Sequence, residues 1–214
     1  MAVAEPTLEI EHALLLAGAR TVIGCDEVGR GALAGPVAVG VAVIDAGIAA
    51  IPAGLRDSKL LSEPRREALE PLAKAWVLHS AVGLASAREV DELGIIACLG
   101  LAGKRALTAL HEAGVDITGS VVLLDGNDDW LNKALSTPLN VVTRVKADRD
   151  CGSVAAASVI AKVHRDRLMI DAHAETPGYG WAGNKGYGSA AHMSAIAELG
   201  AHDLHRKSWL KISA

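Results

Sequence analysis

The apolar residues predict an α/β fold, a central mixed β-sheet flanked by helices. Two observations carry this expectation. Strand-like runs of period two are concentrated before residue 45, and helical patterns alternate with single short strands after it. With half of its 214 residues hydrophobic, the chain has the material for one substantial core and suggests a single domain.

Taken in order, residues 7–18 (LEIEHALLLAGA) have helical spacing and end in glycine. Residues 21–44 hold two strands joined by a glycine-rich turn. Val22 and Ile23 mark the first strand; Val37, Val39, Val41 and Val43, alternating with smaller residues, mark the second. A polar loop, Asp57-Ser58-Lys59, leads to Ser62 as N-cap, with Glu63 and Pro64 in the first turn of a helix ending near Trp76. Residues 77–85 read as a strand. Ser86 and Glu89 form a capping box that opens a helix to Leu93, and a second helix covers 95–113 beyond Gly94. Short apolar strands are expected at 120–124 and 139–145. An Ala-rich helix follows over 153–172, then a glycine-rich loop over 177–187 and a helix over 189–199.

Four acids stand at the ends of these strands. Asp26 and Glu27 close the first strand, Asp125 follows the run Val121-Val122-Leu123-Leu124, and Asp148 follows the next strand. Open α/β sheets place their sites at strand ends, so acids far apart in sequence can share one rim. Adjacent carboxylates beside an apolar strand need positive charge nearby, and a hard divalent cation takes oxygen ligands from Asp and Glu. Singly, each acid has an ordinary reading: a solvated turn for Asp26-Glu27, an Asp-Gly turn for Asp125, and a helix cap for Asp148 or its neighbour Asp150. Their joint occurrence favours a site.

Gly29-Arg30-Gly31-Ala32-Leu33-Ala34 also fits the spacing of a dinucleotide-binding loop. That reading needs a helix after the glycines, and Pro36 and the next strand leave no room for one. A phosphate-binding P-loop fails as well, because no Gly-Lys-Ser/Thr follows.

The net charge of −4 excludes a generally basic nucleic-acid binder, although a metal-dependent nuclease keeps acids at its centre and basic groups around them. Cys25, Cys98 and Cys151 are widely spaced without a C-x-x-C pair, which fits a reducing compartment. There is no signal-peptide core and no apolar run near the roughly 18 residues of a membrane span, so a soluble cytoplasmic protein is expected.

The segment Asp26-Glu27-Val28-Gly29-Arg30-Gly31, followed by Ala34-Gly35-Pro36-Val37, resembles the signature of type 2 ribonucleases H, in particular bacterial ribonuclease HII. Further segments are similar to the same family: Asp57-Ser58-Lys59, Leu124-Asp125-Gly126 and Lys146-Ala147-Asp148. So are Ala155 to Val163 with Arg165-Asp166, Lys185-Gly186-Tyr187-Gly188 and His205-Arg206-Lys207-Ser208. Three positions depart from the family pattern: Ala147 for glycine, Gly94 for asparagine and Trp209 for phenylalanine.

The resemblance implies a ribonuclease H-like fold in one catalytic domain over 1–214, with a core of about 18–172 and a small substrate-contacting helical extension over about 173–214. It implies hydrolysis of the RNA strand of RNA/DNA hybrids and cutting 5′ of ribonucleotides embedded in duplex DNA. The ends left would be 5′-phosphate and 3′-hydroxyl, as in ribonucleotide and primer removal. Asp26, Glu27, Asp125 and Asp148 would be both catalytic residues and ligands of two divalent ions, Mn2+ or Mg2+. Gly29, Arg30, Gly31 and Tyr187 would read the ribonucleotide at an RNA–DNA junction. Lys59 and Lys185, chosen from a wider set with Lys146, Lys162, Arg165 and Arg206, would contact phosphates. A monomer without membrane partners is expected. The absence of phenylalanine removes the usual aromatic pair of a sliding-clamp tail. The runner-up, ribonuclease HIII, carries an extra N-terminal domain that the twenty residues before Thr21 would not accommodate. From another class, a hybrid-binding module without activity is disfavoured by the four intact acids.

Overall fold

The computed structural model describes residues 5–210; residues 1–4 and 211–214, parts of the expected 1–214 domain, lie outside the described residues. After α1 (Glu9–Leu16) come β1 (Thr21–Val28) and β2 (Val37–Ile44), the expected hairpin. Then follow α2 (Glu63–Trp76), β3 (His79–Ala85), α3 (Ala87–Leu93), α4 (Ile95–Glu112) and β4 (Ser120–Asp125). The second half holds β5 (Asn140–Arg144), the short α5 (Ala147–Asp150), the long α6 (Gly152–Glu175), α7 (Trp181–Asn184) and α8 (Ala190–Leu199).

The five strands form one mixed sheet in the order β3-β2-β1-β4-β5. β1 pairs antiparallel with β2 and parallel with β4, so it lies at the centre of the sheet. Alternation along β1 sends its residues into two cores. Ile23 and Cys25 join Val39 and Val41 of β2 and Leu99 and Leu110 of α4 on one face. Val22 joins Ile44, Leu123 and the α6 residues Val154 and Ala157 on the other.

α6 presses tightly on the second face. A Cβ on Gly24 would lie 2.3 Å from the Ser153 carbonyl carbon, and one on Gly40 would lie 2.5 Å from the Ala157 oxygen. Glycine at both positions is what permits the contact. Glu11 of α1 is fully buried, and its Oε1 accepts from the Ser153 N–H (2.9 Å) and Oγ (2.8 Å). It thereby places a hydrogen-bond acceptor on the free N–H groups of the α6 N-terminus.

A third, smaller cluster joins Tyr179, Trp181 and Ile196 from beyond α6 to Ala34 of the β1–β2 loop and Met169 of α6. This loop is knit to the C-terminal elements by backbone hydrogen bonds: Leu33 and Ala34 N–H donate to the Gly186 carbonyl, Gly35 N–H to Leu204 and Arg206 N–H to Leu33.

Candidate active site

β1 runs past the two acids to Val28, so the strand does not end at Asp26 and Glu27 as expected. Inside a strand, neighbours face opposite ways. Asp26 accordingly lies on the α6 side, 1% exposed, while Glu27 is half-buried at the cleft. Asp26 Oδ1 accepts from the Glu27 N–H at 2.8 Å, and Asp26 Oδ2 is buried with no hydrogen-bond partner among the described residues. Burial pushes the Asp26 carboxyl well above the ordinary range; Lys59 opposes this, and Glu27 and Asp125 add to it.

Asp125 closes β4, which pairs parallel with β1, and the same rim receives the turn after β5. That turn is tight: Lys146 adopts a left-handed backbone, φ 63°, before α5 carries Asp148 inward. Asp148 is 4% exposed, and its N–H reaches Asp125 Oδ1 at 3.5 Å. Burial, then the nearby Asp148 charge, raises the Asp125 carboxyl. Lys59 Nζ stands among these acids, 3.0 Å from Asp148 Oδ2, and Asp26, Asp148 and Asp57 together hold its ammonium above the ordinary lysine range despite burial.

Asp57, which heads the Asp57-Ser58-Lys59 segment, joins these acids although no apolar run marks it in the sequence. It is 4% exposed, its Oδ1 accepts from the Lys59 N–H at 2.9 Å, and burial with the Asp148 charge raises its carboxyl. Ser158 of α6 anchors this loop, its Oγ donating to Ser58 Oγ at 2.9 Å.

The other nearby acids have separate partners. Asp150 pairs with Arg144 at 2.9 Å, Asp128 with Lys133 at 2.8 Å, and Asp129 accepts from Asn132. Of the two candidates after β5, Asp148 therefore faces the acid cluster, and Asp150 is held by Arg144.

Gly29, Arg30, Gly31, Lys59 and Tyr187 line one cleft of about 180 Å3 with Glu27, Ser58 and Lys162. Two buried arginines shape its wall. Arg206 donates to the carbonyls of Arg30 (2.9 Å), Gly29 (2.7 Å) and Gly35 (3.2 Å). Arg165 donates to Pro36 (2.8 Å), Ala34 (2.9 Å) and Lys185 (2.9 Å). In a trans peptide the C=O and the following N–H point opposite ways. Turning the Gly29 and Arg30 carbonyls onto Arg206 thus turns the Arg30 and Gly31 N–H groups away from it. Gly29 has φ +82°, and a Cβ there would lie 2.1 Å from Arg165 Nε, whereas nothing lies within 4 Å of a Cβ on Gly31.

Two basic expectations need correction. Arg165 and Arg206, named among the candidates for phosphate contacts, are fully buried and serve backbone carbonyls. The structure does not bring Lys185 to the cleft: it is 6% exposed, and its Nζ is taken by Glu63 Oε2 at 3.0 Å and by the Ala182 carbonyl. Gly186, Tyr187 and Gly188 of that segment approach the β1–β2 loop, and Tyr187 remains 37% exposed.

Among the described residues, no three His, Cys, Asp or Glu side chains stand close enough to hold one ion as they are. The donor set nonetheless suits a hard divalent cation. It is all carboxylate oxygen, it includes the buried Asp26 Oδ2, and the charge standing among the acids is a lysine whose side chain is 65% exposed.

Comparison with solved structures defines the class. The ribonuclease H2 from Pyrococcus horikoshii OT3 superposes with a TM-score of 0.67 at 26% identity, over 88% of this chain and 93% of that one. Bst-RNase HIII in complex with Mn2+ gives 0.75 at 25% identity, over 98% and 72%. The fold is thus the one shared by ribonucleases H2 and HIII. Closer sequence relatives narrow it. A ribonuclease HII of Streptomyces griseus is 45% identical over 213 residues, covering 98% of this chain and 86% of that protein. One of Paracoccus denitrificans is 44% identical over 210 residues, covering 97% and 93%. The ribonuclease HII family model matches residues 23–212, and the chain belongs to that family. Among the described residues, no helix is long and apolar enough to cross a membrane.

Proposed function

We propose that this chain is a metal-dependent endoribonuclease that hydrolyses the RNA strand of RNA/DNA hybrids and cuts 5′ of ribonucleotides in duplex DNA, leaving 5′-phosphate and 3′-hydroxyl ends. Membership of the ribonuclease HII family supports the activity. The observation that carries the site is the rim where Asp26, Asp125 and Asp148 gather around Lys59 with Glu27 at the adjoining cleft. Asp26, Glu27, Asp125 and Asp148 would hold two divalent ions, Mg2+ or Mn2+. Bound there, such ions supply Lewis acidity toward the phosphate, a nucleophile from water at neutral pH and charge neutralisation at the leaving 3′-oxygen.

The chain's own groups do the positioning. The outward N–H groups of Arg30 and Gly31 are donors for the ribose 2′-oxygen, the atom that separates RNA from DNA. The Gly31 position lets the sugar approach without meeting a Cβ. The Tyr187 ring, backed by Arg165 with its guanidinium carbon 5.4 Å from the ring centroid, packs on the neighbouring deoxyribose. Lys59, whose Nζ reaches the rim from a side chain that is 65% exposed, would contact a phosphate oxygen. Lys162 also lines the cleft, but its Nζ is held by Asp166 Oδ1 at 2.6 Å, which leaves Lys59 as the lysine for a phosphate contact.

Asp125→Asn is expected to lower cleavage of a duplex with a single ribonucleotide by at least about a thousandfold. Hybrid binding should persist, and EDTA should abolish wild-type activity. Turnover retained by this variant would refute the ligand assignment.

A further inference from the structure

The C-terminal elements contain a buried polar chain that the reaction above does not use. Trp181 and His192 are fully buried and His205 is 1% exposed. Trp181 Nε1–H donates to His192 Nε2 at 3.1 Å, and His192 Nε2 lies 3.1 Å from His205 Nε2. The His202 N–H donates to His205 Nδ1 at 2.8 Å, and His192 Nδ1 lies 2.8 Å from the Tyr187 carbonyl oxygen.

The protons can be assigned from these contacts. Indole and amide N–H groups only donate, so His192 Nε2 and His205 Nδ1 both accept, and a neutral imidazole has one N–H to give. His205 therefore donates through Nε2–H to His192 Nε2, and His192 donates through Nδ1–H to the Tyr187 carbonyl. Burial, reinforced by His192, holds His205 down to about 4, so it is neutral at neutral pH. The Trp181 and His205 donors share the single lone pair of His192 Nε2, each at 3.1 Å, and exclude the other tautomer, which would set a lone pair against the Tyr187 oxygen. The same carbonyl accepts from the Ser189 N–H at 2.9 Å, and Ser189 Oγ accepts from the His192 N–H at 3.2 Å. The N-terminus of α8 thus grips the backbone of the residue whose ring lines the cleft.

We propose that His192 is a positioning residue for Tyr187: its Nδ1–H fixes the Tyr187 carbonyl, and hence the ring at the RNA–DNA junction, while Trp181 and His205 lock the tautomer that makes this possible. This inference rests on the junction-packing role proposed for Tyr187.

Two near-isosteric substitutions separate positioning from structure. Asparagine places an amide N–H near Nδ1 but leaves the Trp181 and His205 donors unpaired; glutamine restores an acceptor near Nε2 but has nothing to donate to Tyr187. The readout is kcat/KM on a single embedded ribonucleotide divided by kcat/KM on a long hybrid. His192→Gln is expected to lower this ratio roughly 3- to 10-fold, the value of one hydrogen bond. His192→Asn should keep the ratio near wild type although it melts lower. Equal loss on both substrates, or a ratio that follows melting temperature across the two variants, overturns the proposal.

Tyr187→Ala is measured alongside. If it lowers both substrates equally, the junction role of Tyr187 fails and the inference falls with it. If it loses the single ribonucleotide selectively and His192→Gln does not, His192 alone is misassigned. Imidazole 15N NMR of the unsubstituted protein needs no variant to fold: His192 should be the Nδ1–H tautomer and His205 the Nε2–H tautomer, and Nε2–H at His192 refutes the assignment.

Discussion

Lys59 illustrates how much one side chain can decide at this site. Its ammonium is the positive charge among Asp26, Asp57 and Asp148, in the region where a divalent ion would be drawn. A tethered cation there competes with the metal before loading and repels it afterwards, so both effects have one sign. Coulomb attraction at such distances is large in a dry interior but strongly screened beside water, and the Lys59 side chain is 65% exposed. Lys59→Met is therefore expected to tighten Mn2+ binding by about tenfold, measured by calorimetry or by the free-ion EPR signal, while raising KM for substrate. Unchanged or weaker metal binding would show that Lys59 does not stand in the path of the ion. Gly29 and Gly31 form a second residue-scale contrast. Gly29→Ala meets Arg165 and a positive φ, so it should destabilise by about 1–3 kcal/mol. Gly31→Ala has open space around it and should stay within about 0.5 kcal/mol of wild type in urea unfolding, yet lose activity because its methyl enters the cleft. Equal stability losses in the two variants would contradict this difference in their surroundings.

At the scale of elements, whatever has a strong period could be read from the sequence, and whatever tertiary contacts hold could not. The hairpin, the strands before Asp125 and Asp148, and the helices α2, α3, α4, α6 and α8 follow apolar spacing and caps, and each lies where expected to within a few residues. The four-residue α5 and α7 carry no periodic signal. α5 is reached through the left-handed turn at Lys146 and closed by a Cys151 N–H bond to Ala147; α7 is held by the buried Trp181 in the third cluster. The placement of Arg165 and Arg206 was hidden for a different reason. An arginine on the polar side of a helix, or in a tail, reads as solvated. Here each guanidinium is buried because the β1–β2 loop turns a row of carbonyls inward that no strand partner satisfies. The acids were readable because they terminate apolar runs, whereas Asp57 sits in a polar loop without such a boundary. Lys185 followed its motif neighbours in the sequence reading, but its left-handed backbone, φ 50°, directs it to Glu63.

For the whole molecule, gathering carboxylates around one rim carries a stability cost whose sign can be worked out. Burial raises the folded-state pKa of Asp26 above the unfolded value, and Asp125 is raised as well. A carboxyl raised on folding binds its proton more tightly in the native state, so stability falls as pH rises from the ordinary carboxylate range through the raised pKa, and the loss persists above it. At neutral pH in chelator, the charged form of Asp26 is therefore one that its surroundings disfavour. Asp26→Asn removes that charge and should raise the melting temperature at pH 7 by a few degrees, at about 2–4 °C per kcal/mol for a chain of this size. The gain should shrink toward pH 4, where the wild-type carboxyl takes up a proton and the two proteins become alike. Adding Mn2+ or Mg2+ should reverse the ranking. Metal at a hundredfold excess over its Kd stabilises the native state by about 2.7 kcal/mol, and only the protein with an intact ligand set receives that gain. Calorimetric scans of both proteins across pH, with EDTA and with metal, provide the measurement. If Asp26→Asn melts below wild type in EDTA at pH 7, Asp26 is a stabilising structural carboxylate, and the rim does not hold its charge in reserve for a cation.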